Sequence, residues 1–469
     1  MKILSTIIFL TIITAVFSKV TQATIHSVPS DFSTIQSAIN SAIDGDTIVV
    51  ATGIYYENLN FKGKNIVLTS NYYLTGDTSF VNQTIINGSQ PADADTGSCV
   101  IFSSGEDSTA VLMGFTITGG TGTVWLDAHG AGTYREGGGV LIDFSSPTIR
   151  NNRIIDNLAT NSSGINGAGG GGIRISDCNP YILNNLIAYN KAKYGPGVVL
   201  NYTGCIMRNN IIAYNSGGQN FNGGGAIWSN TNSVAYPKII ENNTIYRNQA
   251  SVGTGGCLAW GGTLILRNNI LWGNYSIDNS QVKSISGVAT VTYCDVEGGY
   301  SGIGNIDVFP DFTDTLSFIL HISSPCVDAG DSSGIYNDVE ESAGSATAKF
   351  PSRGILRNDM GAYGGGGAAL IPSINLVTGI ENFVPADFNM KIFPNPGNGV
   401  FSVTYYLPLA SEVEMKITDI NGRKIGELLN ENQSSGAHSL TFSDRHLSGI
   451  YILQLRINGS WYTKMLTIQ

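Results

Sequence analysis

Charge is scarce in this sequence of 469 residues: aspartate, glutamate, lysine and arginine together make up 13%, about half the ~25% usual in soluble domains. No basic run occurs and the formal net charge is -10. That balance excludes nucleic acid or an anionic membrane surface as the main partner. Past the first residues, no stretch is apolar for long enough to span a bilayer. The six cysteines (Cys99, Cys178, Cys205, Cys257, Cys294 and Cys326) lack the C-x-x-C spacing of a metal or redox centre. They read as buried free thiols.

What is plentiful is glycine, at 58 residues, and asparagine at a fixed spacing. Between Gly137 and Asn274 one pattern recurs five times: glycines, an apolar strand, paired asparagines, a third asparagine. The pairs are Asn151-Asn152, Asn184-Asn185, Asn209-Asn210, Asn242-Asn243 and Asn268-Asn269. The third falls six positions after the first of each pair, at Asn157, Asn190, Asn215, Asn248 and Asn274. Gly139, Gly172, Gly197 and Gly256 precede their pairs by twelve. Gly225 stands at seventeen, which reads as a five-residue insertion near Ser229 to Ala235. Successive pairs lie 33, 25, 33 and 26 residues apart, so the unit is about 25 residues with insertions.

A period of this length with no helical pattern inside it signals a solenoid whose coils stack to bury a face. Apolar positions match column by column. Ile149, Ile182, Met207, Ile240 and Leu266 form one column; Ile154, Ile187, Ile212, Ile245 and Leu271 form another. Val140 and Ile142, like Ile173 and Ile175, alternate as a half-buried strand does. Three short strands per turn make a parallel β-helix of about ten coils. Asparagine tolerates left-handed bends and bonds its equivalent in the next coil. Asn152, Asn185, Asn210, Asn243 and Asn269 are therefore expected to form a structural ladder and not an amide-rich active site.

Met1 to Phe17 carries Lys2 and then an apolar run, the order of a secretory signal peptide cleaved after Ser18 or Ala23. The expected plan is a signal over 1–23, a capped β-helix over 24–371, a linker over 372–388 and a small sandwich over 389–469. In Asp31 to Ile43, the residues Phe32, Ile35, Ile39 and Ile43 fall at helical spacing, which predicts a helix plugging the first coil. Gly53, Tyr55 and Glu57 follow, then an apolar strand. This opening resembles the pectin-lyase-like superfamily of right-handed parallel β-helices and is shared with pectin methylesterases. The esterases' catalytic Gln and Asp motifs are not found further on, so the resemblance implies fold and not esterase activity.

The wording of 302–365, with Ser324-Pro325 before Asp328-Ala329-Gly330-Asp331 and then Asp359-Met360-Gly361-Ala362-Tyr363, resembles the closing segment of bacterial repeat β-helix proteins and implies a C-terminal cap. From Met390 short alternating strands are broken by turns such as Asn421-Gly422 and Asn458-Gly459. Pro394-Asn395-Pro396, Asp419-Ile420-Asn421-Gly422-Arg423, Ser448-Gly449-Ile450-Tyr451 and Lys464-Met465-Leu466 resemble the C-terminal sorting domain of the type IX secretion system. That resemblance implies secretion to, or beyond, the outer-membrane surface of a Gram-negative bacterium, with the secretion machinery as partner.

Fold alone does not give function. Asp143, Arg174 and Asp177 lie on strands after the glycines and are the catalytic candidates, as acids, a base or a uronate clamp. The insertion Gly119 to Glu136 carries His129, Tyr134, Arg135 and Glu136, placed to overhang neighbouring coils and bind ligand. Tyr189 and Tyr214 share a column and stack on sugar rings if they face outward, or fill core space if inward. Asp328, Asp331, Asp338, Glu340 and Asp359 could gather around Ca²⁺ or cap turns. Arg150, Leu183, Arg208, Glu241 and Arg267 form a column read as a charge ladder on a solvated face. The chain is expected to be a monomer that binds extracellular polysaccharide. The alternatives are a uronate-directed lyase or hydrolase, and a structural surface protein without ligand.

Overall fold

The computed structural model describes residues 23–160, 164–232, 236–373, 390–407, 411–419, 423–434, 436–443, 448–457 and 460–468. Residues 1–22 of the expected signal over 1–23, most of the expected linker, and the Asn421-Gly422 and Asn458-Gly459 turns lie outside them. The chain divides into two compact units, Met1–Leu376 and Val377–Gln469.

The first unit is a parallel β-helix. One sheet has ten strands, from Ile25–Val28 to Val288–Thr292; a second has nine, from Gly53–Tyr55 to Asp295–Val296; a third has eight, from Leu59–Asn60 to Val282–Ser284. The two aliphatic columns run in register through adjacent strands. All ten of those side chains are 0% exposed, each contributing about 1.5–3 kcal/mol by leaving water. The expected insertion is one residue shorter than its glycine suggested. Val198 pairs with Ile227, which pairs with Cys257. Ala226, and not Gly225, therefore stands above Gly197, sixteen residues before Asn242 where twelve is the rule.

The first end is closed as expected, by a helix over Ile35–Ser41 with Ile35, Ala38 and Ile39 buried against the coil. Its length is trimmed at both sides, and Ile43 is exposed. Glu57 accepts the N–H groups of Ile35 and Gln36 at 2.9 and 2.8 Å, a carboxylate at a helix N-terminus. The Gly53–Glu57 motif thus holds the plug in place.

The paired asparagines do different work. The second of each pair points inward and bonds upward: Asn152 N–H and Nδ2 both donate to Asn185 Oδ1, at 3.0 and 3.2 Å. Asn185, Asn210 and Asn243 repeat this toward Asn210, Asn243 and Asn269. Cys294 Sγ ends the run. The third asparagines build a second ladder from Asn157 to Asn274, ended by Gln281. The first of each pair takes a left-handed φ, between 50° and 56°, which turns its amide outward.

Those outward amides hold the closing segment. Asn268 accepts from Asp331 N–H, Asn242 donates to Asn358 and Asp359, Asn209 to Ala362 and Gly364, and Asn184 to Gly367. The segment therefore does more than cap the last coil: it runs back along the side of the tube. Phe318, Ala362, Tyr363 and Ile371 pack there on Leu186, Ile211 and Tyr246. The charge ladder is consequently solvated only in part, with the Arg208 and Arg267 side chains 41% and 28% exposed. Glu241 is 5% exposed, bonded to Arg208 at 2.6 Å and facing Arg267 at 3.6 Å, and Tyr336 lies against Arg267.

The second unit is the expected antiparallel sandwich. Lys391–Phe393, Val400–Leu407 and Gly436–Ser443 form one sheet; Lys424–Gln433, Ser411–Asp419, Gly449–Ile457 and Ser460–Ile468 form the other. Phe401, Val403, Met415, Ile417, Leu453 and Leu455 are buried between them.

Candidate functional site

The insertion at 119–136 is an antiparallel hairpin, with Gly122–Leu126 paired to Thr133–Glu136. Thr133–Glu136 continues parallel to Gly167–Gly169, and this pairing lays the hairpin over the third sheet. Asp127 Oδ1 organises the tip by accepting the N–H groups of His129 and Ala131, at 2.8 and 3.2 Å. Gly130 and Gly132 supply the positive φ values of the turn. Trp125 and Tyr134 are cross-strand neighbours on the face toward the coils. Arg135, on the opposite face, donates to Ala94 O and pairs with Asp95, both at 2.7 Å.

Beneath the hairpin Arg174 is wholly buried. Its Nε donates to Glu136 at 3.1 Å and its Nη1 to Asp143 at 2.8 Å. Asp143, Arg174 and Asp177 stand at different positions in their coils, and only the long guanidinium arm joins the first two across the stack. Glu136 also accepts from Trp125 Nε1 at 2.8 Å and from the Tyr194 hydroxyl. Burial, and then Glu136, hold the Tyr194 phenol well above its ordinary range. Burial raises the Asp143 carboxyl against the pull of Arg174, with Asp177 and Asp127 adding to the rise. Asp177 bonds His129 Nε2 and Ser176 Oγ, at 2.8 and 2.6 Å. The His129 ring stacks on Tyr202 at 3.5 Å and 18°. The hairpin tip is thus latched to the coil by one side-chain hydrogen bond and one ring stack.

The hairpin and coils enclose a cleft of about 170 Å³, well below the ~300 Å³ at which drug-sized pockets begin, and of a size for one small ring. Much of its lining is aromatic. Tyr194 meets Phe221 and Trp228 at 5.0 and 5.2 Å, and Trp260 lies 6.2 Å from both of those. Acceptors line the same cleft: Asp127, Glu136, Asn201 and Asn230.

The structure therefore gathers Asp143, Arg174, Asp177, His129, Tyr134 and Glu136 in one place and leaves Arg135 outside it. Tyr189 and Tyr214 are elsewhere. They stack at 5.3 Å and 7° but pack beneath the closing segment, against Phe318 among others, so they are neither core of the tube nor an open platform. The aromatic lining was missed by sequence reasoning. Trp228 shares the outward column of Leu141, Arg174, Val199 and Leu258, and a tryptophan in an outward column was the available signal.

The calcium candidates do not converge, because each carboxylate is already used by a nearby backbone N–H. Asp328 accepts from Ile355, Asp331 from Ser333, Asp338 from Gly365, Glu340 from Ala346, and Asp359 from Asp328 and Arg353. Among the described residues no three His, Cys, Asp or Glu side chains are grouped to hold a metal. The donor set fits turn capping and not a hard cation. The six cysteines are free and buried.

No helix among the described residues is long and apolar enough to cross a membrane. No curated protein matches the chain. Among solved structures it is similar to a pectin methylesterase from carrot, at 14% identity and a TM-score of 0.29, over 63% of this chain and 91% of that one. A likeness this loose bears on neither site nor activity. Residues 391–469 match the family described as the secretion system C-terminal sorting domain. The chain is thus a parallel β-helix protein that carries a secretion-system sorting domain of that family at its C-terminal end.

Proposed function

We propose that this is an exported saccharide-binding protein, delivered by the type IX machinery to the outer surface of a Gram-negative bacterium and binding glycan in the cleft under the hairpin. One observation carries the reading: the aromatic side chains Tyr194, Phe221, Trp228 and Trp260 line one small cleft together with the acceptors Asp127, Glu136, Asn201 and Asn230. Sugar rings present apolar C–H faces and hydroxyl edges, and a cleft lined by aromatic rings and acceptors suits both. Affinity electrophoresis of the full chain through gels of neutral, amino and acidic polysaccharides tests it. Retardation by at least one glycan, lost in Trp260→Ala, is expected. Unchanged mobility in every gel sinks the proposal.

A second reading, glycoside hydrolysis, has one observation in its favour. Asp143 is raised by burial beside further carboxylates, the condition for a proton donor working with a second carboxylate. Release of new reducing ends, abolished in Asp143→Asn, would select it over binding alone. The lyase reading is weaker, because Arg174 is buried and committed to two carboxylates and is not free to act as a base.

A further inference from the structure

We infer that the cleft takes a 2-acetamido sugar and that Arg174 anchors its carbonyl oxygen. The inference rests on the saccharide-binding reading above and specifies its ligand. Arg174 is wholly buried. Its Nε donates to Glu136 and its Nη1 to Asp143, while Nη2 is buried with no hydrogen-bond partner among the described residues. The reason lies in Glu136. A carboxylate commonly receives the parallel N–H groups of a guanidinium as a fork. Here Oε2 takes Nε alone, and Oε1 is occupied by the Tyr194 hydroxyl. The N–H of Nη2 that runs parallel to Nε–H therefore points to the side of Glu136. Glu136 lines the cleft, as does Trp125, which lies over the guanidinium.

Buried donors ordinarily have acceptors, and a charged one left bare is the costliest case. The acceptor that suits this one is neutral. Two carboxylates already face the single charge of Arg174, Asp127 and Glu136 line the cleft, and no lysine or arginine does so among the described residues. A uronate would therefore reach Arg174 only beside like charges. An ammonium group has no lone pair to offer. A hydroxyl can accept, but it brings nothing apolar to the aromatic rings. An acetamido group brings all that the lining asks for: a carbonyl oxygen for Nη2, an N–H for acceptors such as Asn201, and a methyl for rings such as Phe221 and Trp228. Since Nη2 is closed off from water, the carbonyl reaches it as the Trp125 indole slides aside.

The test is calorimetric titration of the full chain with oligomers of N-acetylglucosamine, of glucosamine and of galacturonate. A fourth ligand is the N-thioacetyl analogue of the first, in which sulfur, a weak acceptor, replaces the carbonyl oxygen. The N-acetyl oligomer is expected to bind about tenfold or more tightly than the glucosamine and thioacetyl oligomers, the order of one hydrogen bond to a charged donor. The galacturonate oligomer is expected not to bind. Arg174→Lys keeps a cation between Glu136 and Asp143 but removes the third donor, so it should bring the N-acetyl oligomer down to the level of the thioacetyl one. Should that variant fail to fold, oxygen against sulfur in the wild-type protein still decides, because the two ligands share ring, methyl and N–H. Equal or tighter binding of the glucosamine, thioacetyl or galacturonate oligomer overturns the acetamido assignment while leaving saccharide binding intact. Retardation in a polysaccharide gel with no oligomer bound does the same. Failure of every oligomer and every polysaccharide gel to bind overturns both.

Discussion

Trp125 covers Arg174, with the guanidinium carbon 3.4 Å from the ring centroid. The hairpin therefore closes over a cation that is fully out of water and shared between Glu136 and Asp143. Such a group is tolerated only because both partners are present.

Removing the cation alone should consequently be severe. Arg174→Ala strands Glu136, whose side chain is 4% exposed, and is expected to cost about 3–5 kcal/mol in urea unfolding of the β-helix. Lys283→Ala, which breaks a pair exposed at 30% and 40%, should cost less than about 1 kcal/mol. Equal losses would contradict the burial argument.

The two asparagines of a pair should also separate cleanly. Asn210→Ala removes a rung that both accepts from Asn185 and donates to Ile182 O and Asn243. It should cost of order 3 kcal/mol, because buried groups are left bare. Asn184→Gly keeps the left-handed backbone without steric cost and loses one partly exposed bond to Gly367. Less than about 1 kcal/mol is expected, and denaturant midpoints compare the two directly.

Stability should fall as pH rises past neutrality. Asp338 and Asp359 are 5% and 0% exposed. Burial, then Asp359, pushes Asp338 up to about 8; burial also holds Asp359 up at about 7, against the amides of Asp328 and Arg353. Folded values above the unfolded one (about 3.9) give stabilisation that is complete below about pH 4 and lost as pH climbs through about 7 to 8. Burial lifts Asp156 and Asp295 to about 6, with the same sign. The thermal midpoint of the β-helix should thus decline from mildly acid to mildly alkaline buffer, less steeply in Asp338→Asn. A rising midpoint would refute this.

The thiols should be silent in the native protein. Burial pushes Cys99, Cys178, Cys205 and Cys294 up to about 12, and Cys257 and Cys326 are raised by the same cause. A thiol reagent is expected to titrate none in native buffer and all six in guanidinium.

The coils, both apolar columns and the ladder from Asn152 to Asn269 were legible because each position repeats, and repetition exposes which residues share an environment. Ala226 was not, since a glycine one place earlier imitated the pattern. The split between Asn184 and Asn185 turns on one residue's φ, which spacing does not encode. Asp143, Arg174 and His129 could be named because charge stands out in a chain this poor in it. Trp260 could not: it lies in no column with Arg174, and only the fold brings it into one cleft with the hairpin. The path of 326–371 was hidden for a related reason. Its contacts join residues from 63 positions apart (Asn268 with Asp331) to 183 (Asn184 with Gly367) and leave no local trace.

That returning segment also sets the size of the tube. A plain solenoid gains or drops a repeat at small cost, because each coil sees only its neighbours. Here one ribbon grips Asn268, Asn242, Asn209 and Asn184 in succession, at intervals matched to their spacing. Inserting or deleting a single coil between them would throw every later grip out of phase, so the molecule carries its own measuring tape.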